Sequence, residues 1–173
     1  MNMPHTPMND AICQAHVHTP LGPMMMARNA QGLCGLWFDD QRHHPGTLAA
    51  PVHEDDELFD QTRAALGAYF KGQGLPRDLP MAPQGTEFQR AVWQALRSIP
   101  DGGHCSYGQI ANHLGRPNAQ RAVGVAVGRN PISILIPCHR VLGQTLALTG
   151  YDGGLPRKRF LLQLEGVRYK DTP

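Results

Sequence analysis

The sequence predicts an α/β protein in two parts, which we call the N-terminal module (residues 1–83) and the C-terminal module (residues 84–173). Strand-like runs alternate with Gly- and Asn-containing turns from Ile12 to Asp40, which is typical of a small antiparallel sheet. Three prolines and three glycines lie between Gly72 and Gly85 and stop regular structure there. After this linker, apolar residues recur at helical spacing, so we expect a mostly helical second part.

The N-terminal module is predicted to fold as a three-stranded meander covered by one helix. Its strands are AICQAHVH, PMMMAR and LCGLWF, separated by the turns TPLG and NAQG. The segment Glu54–Lys71 then begins with an acidic turn, which favours a helix start. Apolar residues follow at helical spacing, and the helix should cover one face of the sheet; they are Leu58, Phe59, Thr62, Leu66, Tyr69 and Phe70.

The C-terminal module contains a predicted helix-turn-helix. Thr86 can cap a first helix that ends before Pro100, and Ser106 can cap a second over Tyr107–Leu114. A tight turn, GRPN, leads into a short helix over Ala119–Gly128. Two short helices joined in this way form a pattern used in DNA binding.

Charge is divided unevenly between the two modules. The N-terminal module has five Lys/Arg and nine Asp/Glu, whereas the C-terminal module has eleven and five. Phosphate contacts are made by Lys and Arg, so the second module is the one expected to meet a polyanion such as DNA. Ordinary solvated charge is the alternative that charge counts leave open.

Neither secretion nor membrane insertion is expected from the sequence. The first residues, MNMPHTPMND, contain neither the basic nor the apolar region of a secretory signal, and no stretch is long and apolar enough for a membrane helix. We therefore expect a cytoplasmic protein without membrane association. The four cysteines lack C-x-x-C spacing, which favours free thiols in that compartment.

Cys138 has a setting unlike that of the other cysteines. It follows the apolar run ISILIP and stands in the sequence Pro137-Cys138-His139-Arg140. Cationic neighbours lower a thiol pKa, so these four residues favour a reactive thiolate. Neighbouring side chains can point apart, and the short motif alone leaves a structural cysteine as an alternative. Beyond it, a glycine-rich loop leads to a final predicted helix, Pro156–Glu165, closed by Gly166.

Several blocks around Cys138 resemble one family. They are SYG at 106–108, RAVG at 121–124, NPISILIPCHRV at 130–141 and GYDGG at 150–154. In order and spacing these blocks closely resemble the O6-alkylguanine-DNA alkyltransferases over about residues 84–168. The resemblance implies a ribonuclease-H-like N-terminal domain and a winged-helix-like C-terminal domain that binds DNA and accepts the alkyl group.

The resemblance also implies roles for individual residues. Cys138 matches the acceptor cysteine, His139 the histidine that deprotonates it through a water, and Glu165 the carboxylate that orients the histidine. Tyr107 matches the tyrosine that donates to the leaving base and rotates the target phosphate. Asn130 matches the asparagine that ties the recognition helix to the active-site turn. No cofactor is implied.

The implied partner is double-stranded DNA that contains O6-alkylguanine, with O4-alkylthymine as a further candidate lesion. Arg121 matches the arginine finger that fills the gap left by a flipped nucleotide, and flipping is needed because a stacked base cannot be reached by a buried thiol. Small residues suit close approach to the minor groove, where readout is largely independent of sequence. We expect a monomer whose DNA contacts are Tyr107, Gln120, Arg121, Ala122 and Gly124. Ala126 also suits close approach to the groove, although small residues on this helix can equally mean tight helix packing.

Three positions depart from the family pattern. Gln120 stands where many relatives have alanine, and Leu146 where relatives usually have glycine, so we expect an altered turn at Leu146. Asp152 replaces a small residue in the loop expected to line the pocket, and a carboxylate cannot donate to the guanine O6. The expected pocket residues are Val141, Tyr151, Asp152 and Gly153.

Some relatives hold zinc in the first domain, but no metal is expected in this chain. Cys34, His16, His18 and His53 lack the spacing of a zinc motif. Cys13 and Cys34 are better interpreted as core residues of strands.

Three other functions compete with alkyl transfer. An alkyltransferase-like protein that binds lesions without repairing them is one, but such relatives lack the cysteine. A cysteine hydrolase is disfavoured because adjacent residues rarely form a hydrogen-bonded pair without a bridging water. A transcription factor leaves the other sequence blocks unexplained.

Overall fold

The computed structural model describes residues 10–171 and contains the predicted three-stranded antiparallel sheet. Its strands are β1 (Cys13–Thr19), β2 (Gly22–Arg28) and β3 (Leu33–Phe38), in the order β1-β2-β3. Turns of two and four residues join them, as the Gly and Asn residues predict.

Helix α1 (Glu57–Phe70) packs against β1 and begins three residues later than the sequence suggests. The reason is that the carboxylate of Asp56 accepts hydrogen bonds from the backbone N–H groups of Leu58 and Phe59 and so caps the helix. Arg28 of β2 also bonds Asp56, at 3.0 Å, which ties the start of α1 to the sheet.

The second half of the chain is mostly helical, as predicted. Capping boxes at Thr86 and Ser106 begin α2 (Glu87–Arg97) and α3 (Tyr107–His113). The remaining elements are two-residue strands β4 (Cys105–Ser106) and β5 (Val141–Leu142), which pair in parallel, and the helices α4 (Gln120–Gly128) and α5 (Leu155–Leu164).

Strand β3 directly supports the segment that precedes Cys138. The backbone N–H of Leu36 donates to the carbonyl of Pro131 at 2.8 Å, and the N–H of Ser133 donates to the carbonyl of Leu36 at 2.9 Å. Buried side chains on both sides of this contact belong to one continuous hydrophobic cluster. The sheet therefore braces the candidate site through this cluster.

The turn that contains Leu146 has a left-handed backbone, although the leucine side chain disfavours this conformation. Thr145 and Leu146 have φ values of 57° and 66° within a 3-10 turn, Gln144–Leu146. The carbonyl of Leu146 accepts a hydrogen bond from the N–H of Lys170 at 2.8 Å, which helps to hold the conformation. A glycine would adopt it without the steric cost that a leucine bears.

Within residues 10–171, no helix is both long and apolar enough to cross a membrane.

Candidate active site

Cys138 opens a 3-10 turn, Cys138–Arg140, and is 5% exposed. The chain reaches it through a tight turn in which Ile134 has φ 70° although it is fully buried. Asn130, which follows α4, fixes this turn at both ends: its Oδ1 accepts from the N–H of Ile132 at 3.0 Å, and its Nδ2 donates to the carbonyl of Ile136 at 2.8 Å. The end of α4 and the segment before the thiol are thereby joined.

The thiol of Cys138 is protonated at rest, contrary to the expectation of a thiolate. Burial raises its pKa to about 11, although the Asn130 side chain and the charge of Lys158 act in the opposite direction. The guanidinium of the neighbouring Arg140 does not supply the expected activation because it is committed to Glu165, with Nε donating to Oε2 at 2.8 Å. Transfer of the proton to a base must therefore precede nucleophilic attack.

His139 and Glu165 form a buried hydrogen-bonded pair. The distance from Nε2 of His139 to Oε1 of Glu165 is 2.7 Å, and both side chains are at most 5% exposed. Burial raises the pKa of Glu165, but hydrogen bonds from His139, Arg140 and Tyr69 outweigh it and lower the pKa to about 2. An ionised Glu165 accepts from Nε2–H, so the lone pair of this imidazole lies on Nδ1.

Nδ1 of His139 is buried and has no hydrogen-bond partner among residues 10–171. Burial also lowers the pKa of His139 and outweighs the opposing effect of Glu165, so the ring is neutral at rest. A neutral imidazole with an unused lone pair, on the residue that follows the protonated thiol in sequence, has the protonation state that a general base requires.

The thiol lies at a cavity of about 240 Å³. Tyr107 from α3 and Tyr151 from the loop before α5 contribute aromatic walls. The phenol oxygen of Tyr151 is buried without a partner in the described part of the chain. The lining residues come from both modules: Arg42, His43, Tyr107, Gly124, Val127, Gly128, Cys138, Gly150, Tyr151 and Asp152.

Two of the four residues expected in this pocket do not line it. Tyr151 and Asp152 do, whereas Val141 and Gly153 are not among the lining residues. Val141 is fully buried in β5, where it pairs with Cys105. Gly153 packs so closely that a Cβ atom would lie 2.8 Å from the ring of Tyr151, and its role is to let this loop pack tightly.

Lys158 is a buried lysine that is connected to Tyr107 through Thr149. Nζ of Lys158 donates to the carbonyl of Val141 at 2.6 Å and to that of Thr149 at 3.1 Å. The hydroxyl of Thr149 in turn lies 2.9 Å from the phenol oxygen of Tyr107. Burial lowers the pKa of Lys158 to about 8, although Cys138 acts in the opposite direction. This cation holds the loop to which Tyr107 is bonded.

Helix α4 exposes the residues expected to meet DNA. Gln120, Arg121 and Ala122 are exposed, and Gly124 lines the cavity beside the ring of Tyr107. Ala126, by contrast, is 1% exposed, and its carbonyl accepts from the indole N–H of Trp93. Of the two possibilities that the sequence leaves open for Ala126, the structure favours helix packing, because this residue lies on the inner face of the helix.

Metal ligands are not clustered in the described part of the chain. Residues 10–171 contain no group of three or more His, Cys, Asp or Glu placed to hold a metal ion. Cys13 and Cys34 are buried in the sheet, as core residues should be.

Both parts of the chain match models of one protein family. Residues 12–83 match the "6-O-methylguanine DNA methyltransferase, ribonuclease-like domain", and residues 87–167 match the DNA binding domain of the same description. The chain belongs to this family. Its fold is therefore the predicted one, a ribonuclease-like α/β domain followed by a helical DNA-binding domain.

Individual relatives of this methyltransferase family are similar over nearly the whole chain. A methylated-DNA--protein-cysteine methyltransferase of Haemophilus influenzae is 42% identical over 93% of this chain and 90% of its own length. One of Methanosarcina acetivorans is 45% identical over 86% of this chain and 94% of its own length. The crystal structure of Mycobacterium tuberculosis OGT in complex with DNA matches with a TM-score of 0.82 at 40% identity, covering 89% of this chain and 92% of that one.

Sequence reasoning missed three residues at the centre of the site. Tyr69 counted only as an apolar position of α1, yet its phenol donates to Glu165 at 2.7 Å. Arg140 and Lys158 carried no signal beyond their charge, and burial gives them their roles. The three residues can be assigned to this network only from the fold, which brings together elements that are distant in sequence.

Proposed function

We propose that this methyltransferase-family protein repairs DNA by moving a methyl or larger alkyl group from O6 of guanine onto Cys138, irreversibly and once per molecule. O4-alkylthymine is proposed as a second lesion. The observation that carries the proposal is the cysteine at the 240 Å³ cavity, followed directly in sequence by a histidine that forms a buried pair with Glu165. We further propose that the protein acts as a cytoplasmic monomer without a cofactor.

Alkyl transfer in this proposal is accompanied by two proton transfers, one from the thiol and one to the leaving guanine. The lone pair of His139 takes the proton of the Cys138 thiol through a water, and Glu165 stabilises the imidazolium that forms. The thiolate then attacks the alkyl carbon, forming a C–S bond as the bond from that carbon to O6 breaks. The guanine leaves with the electron pair and receives a proton from the phenol of Tyr107, and the proton that His139 took from the thiol is given up through water to restore the phenol, so that both side chains end neutral. The products are S-alkylcysteine and an unmodified guanine.

The C-terminal module, residues 84–173, is proposed to carry both DNA binding and alkyl acceptance. Arg121 on the exposed face of α4 enters the minor groove and fills the stack after the base is extruded. Gln120, Ala122 and Gly124 lie along the groove, where A·T and G·C pairs differ little, so binding is nearly independent of sequence. Asn130 holds the end of this helix to the turn that presents the thiol.

Duplex DNA with a labelled methyl group on O6 of one guanine tests the proposal. We expect one label per protein molecule, recovered in the peptide that contains Cys138. Cys138→Ser should abolish transfer while leaving DNA affinity within a few-fold, because the thiol serves chemistry and not binding. Cys105→Ser is the matched control and should transfer normally.

Each rival function predicts a different result. A lesion-binding protein or a transcription factor would bind the duplex and leave the label on DNA. A hydrolase would release the label into solution over many turnovers. Label on Cys13, Cys34 or Cys105 would overturn the assignment of the acceptor.

A further inference from the structure

The loop that follows β3 is tied to the pocket by a network of hydrogen bonds. Nε2 of Gln41 donates to Oδ2 of Asp152 at 2.7 Å, and the backbone N–H of His43 donates to the same oxygen at 3.0 Å. Nδ1 of His43 lies 2.5 Å from Oδ1 of Asp152. The N–H of Arg42 donates to the backbone carbonyl of Asp152 at 3.1 Å. We call this network the 41–43/152 clasp.

The clasp explains how Asp152 can replace a small residue in the pocket loop. Its carboxylate is only 7% exposed and faces the N-terminal module, where all of these donors meet it. Gln41 is itself fixed, since its Oε1 accepts from the N–H of Phe38 at 2.9 Å and from the hydroxyl of Ser133 at 3.1 Å. A buried carboxylate satisfied in this way rigidifies its surroundings.

The clasp also reaches the end of the recognition helix. Nδ1 of His43 lies 3.1 Å from the carbonyl of Gly128, the last residue of α4. Because Nδ1 faces two acceptors, Gly128 and Asp152, it carries a proton. The 41–43 loop is therefore held against both the pocket loop and α4.

Arg42 is the residue that this arrangement leaves uncommitted. It lines the cavity together with Cys138 and is exposed. Within residues 10–171 its guanidinium makes neither a hydrogen bond nor an ion pair, although its backbone is fixed by Asp152. It is a cation in a module in which acidic residues outnumber basic ones, nine to five.

We propose that Arg42 is a DNA-binding residue contributed by the N-terminal module: its guanidinium binds a backbone phosphate of the extruded nucleotide, and the 41–43/152 clasp positions it. The inference rests on the proposed function. A base that enters the cavity must leave its sugar and phosphates at the mouth, because they remain part of the strand. An arginine with five free donors is suited to a phosphate at that place.

Arg42→Gln tests the contact, with Arg77→Gln as the matched control. Arg77 is also an exposed arginine of the N-terminal module, but it does not line this cavity. For Arg42→Gln we expect the second-order rate constant of transfer from duplex DNA to fall about 3- to 30-fold at moderate salt. The slope of log affinity against log salt should fall by about one.

Free O6-alkylguanine base separates this role from a role in the pocket itself. It has no phosphate, so its reaction with Cys138 should stay within about two-fold of the wild type in Arg42→Gln. Arg42→Lys should retain part of the duplex activity. Equal losses on duplex and free base, or a duplex rate equal to that of Arg77→Gln, would overturn the proposal.

The positioning role of the clasp is tested at His43. Asparagine can place an amide N–H close to where Nδ1 lies, so His43→Asn should keep most duplex activity, whereas His43→Ala should lose it. The double variant His43→Ala/Arg42→Gln should lose little more than Arg42→Gln alone. Fully additive losses would mean that the clasp does not act through Arg42. Circular dichroism and urea unfolding report that each variant is folded.

The two proposals fail in different ways. If the wild-type protein accepts no alkyl group from either duplex or free base, the proposed function falls and the inference with it. If the wild type reacts normally and Arg42→Gln behaves as Arg77→Gln does, only the inference falls.

Discussion

Removing the charge of Glu165 should reduce both the stability and the reactivity of this protein. Glu165 accepts hydrogen bonds from His139 at 2.7 Å, from Arg140 at 2.8 and 3.1 Å, and from Tyr69 at 2.7 Å. Glu165→Gln keeps the size of the side chain but removes the ion. It leaves Arg140, which is 2% exposed, with Asp101 as its remaining acidic partner.

The magnitude follows from the pKa of this carboxyl. Burial raises the pKa of Glu165, but the hydrogen bond and charge of His139 and the hydrogen bonds of Arg140 and Tyr69 outweigh it and lower the pKa from its ordinary value of 4.5 to about 2. At about 1.4 kcal/mol for each pKa unit, this lowering corresponds to about 3 kcal/mol of stability at neutral pH. Removing one partner of a buried ion pair typically costs about 3 to 5 kcal/mol, so the two values agree.

The loss should depend on pH in a defined direction. A carboxyl whose pKa is lowered by folding contributes its full stability above the pKa of the unfolded chain, here 4.5, and loses it as the pH falls through about 2. The difference in unfolding free energy between wild type and Glu165→Gln should therefore be largest near pH 7 and shrink between pH 4.5 and pH 2. Urea unfolding across that range measures it, with Glu57→Gln, at an exposed position, as the control.

Activity should fall in the same variant, because an amide stabilises the His139 imidazolium less than a carboxylate does. General-base catalysis contributes about 100- to 10,000-fold, and we expect a loss in that range at neutral pH. His139→Ala/Glu165→Gln should be little slower than either single variant, since the two residues act as one unit. The reasoning is refuted if Glu165→Gln is less than 1 kcal/mol below wild type at every pH, or if the two losses add in full.

Three further predictions address DNA, backbone and metal. Arg121→Ala should slow repair of duplex DNA about 10- to 1000-fold and leave reaction with free O6-alkylguanine unchanged, because only the duplex needs extrusion; equal losses would withdraw the finger role. Thr145→Asn should raise the free energy of unfolding by about 1 kcal/mol in urea, because asparagine tolerates φ 57° better than a β-branched residue; a stability below wild type would contradict this. Chelators should change neither melting temperature nor transfer, and stoichiometric zinc in purified protein would refute that expectation.

Local chemistry explains which parts of the fold could be predicted from the sequence. Thr86 and Ser106 begin α2 and α3 as predicted, because a capping box is complete within four residues. Helix α1 was placed three residues too early, since the acidic turn at Glu54 did not reveal that Asp56 is the cap. Boundaries of this kind depend on which of several similar side chains meets the first free N–H groups.

The site was harder to predict than the fold, because its contacts join distant parts of the chain. Cys138 and His139 stand in one motif, but Tyr69 reaches Glu165 across 96 residues and Gln41 reaches Asp152 across 111. Neither contact leaves a periodic pattern in the sequence. Asp152 is an example. The sequence shows that a carboxylate cannot donate a hydrogen bond to guanine, but only the fold shows that the partners of Asp152, Gln41 and His43, lie in the N-terminal module.

The protonated Cys138 thiol and the buried His139–Glu165 pair together make the reaction depend on the substrate. With a pKa of about 11, about one Cys138 thiol in ten thousand is ionised at pH 7, so the free protein is a poor nucleophile toward solutes. His139 can take the proton only if the imidazolium is stabilised, and Glu165, already ionised and buried, provides that charge without reorganisation. In the proposed reaction, a bound guanine excludes solvent from the cavity and places its alkyl carbon at the thiol, which strengthens both effects. If each molecule reacts only once, as proposed, this dependence protects the Cys138 thiol from side reactions with other solutes.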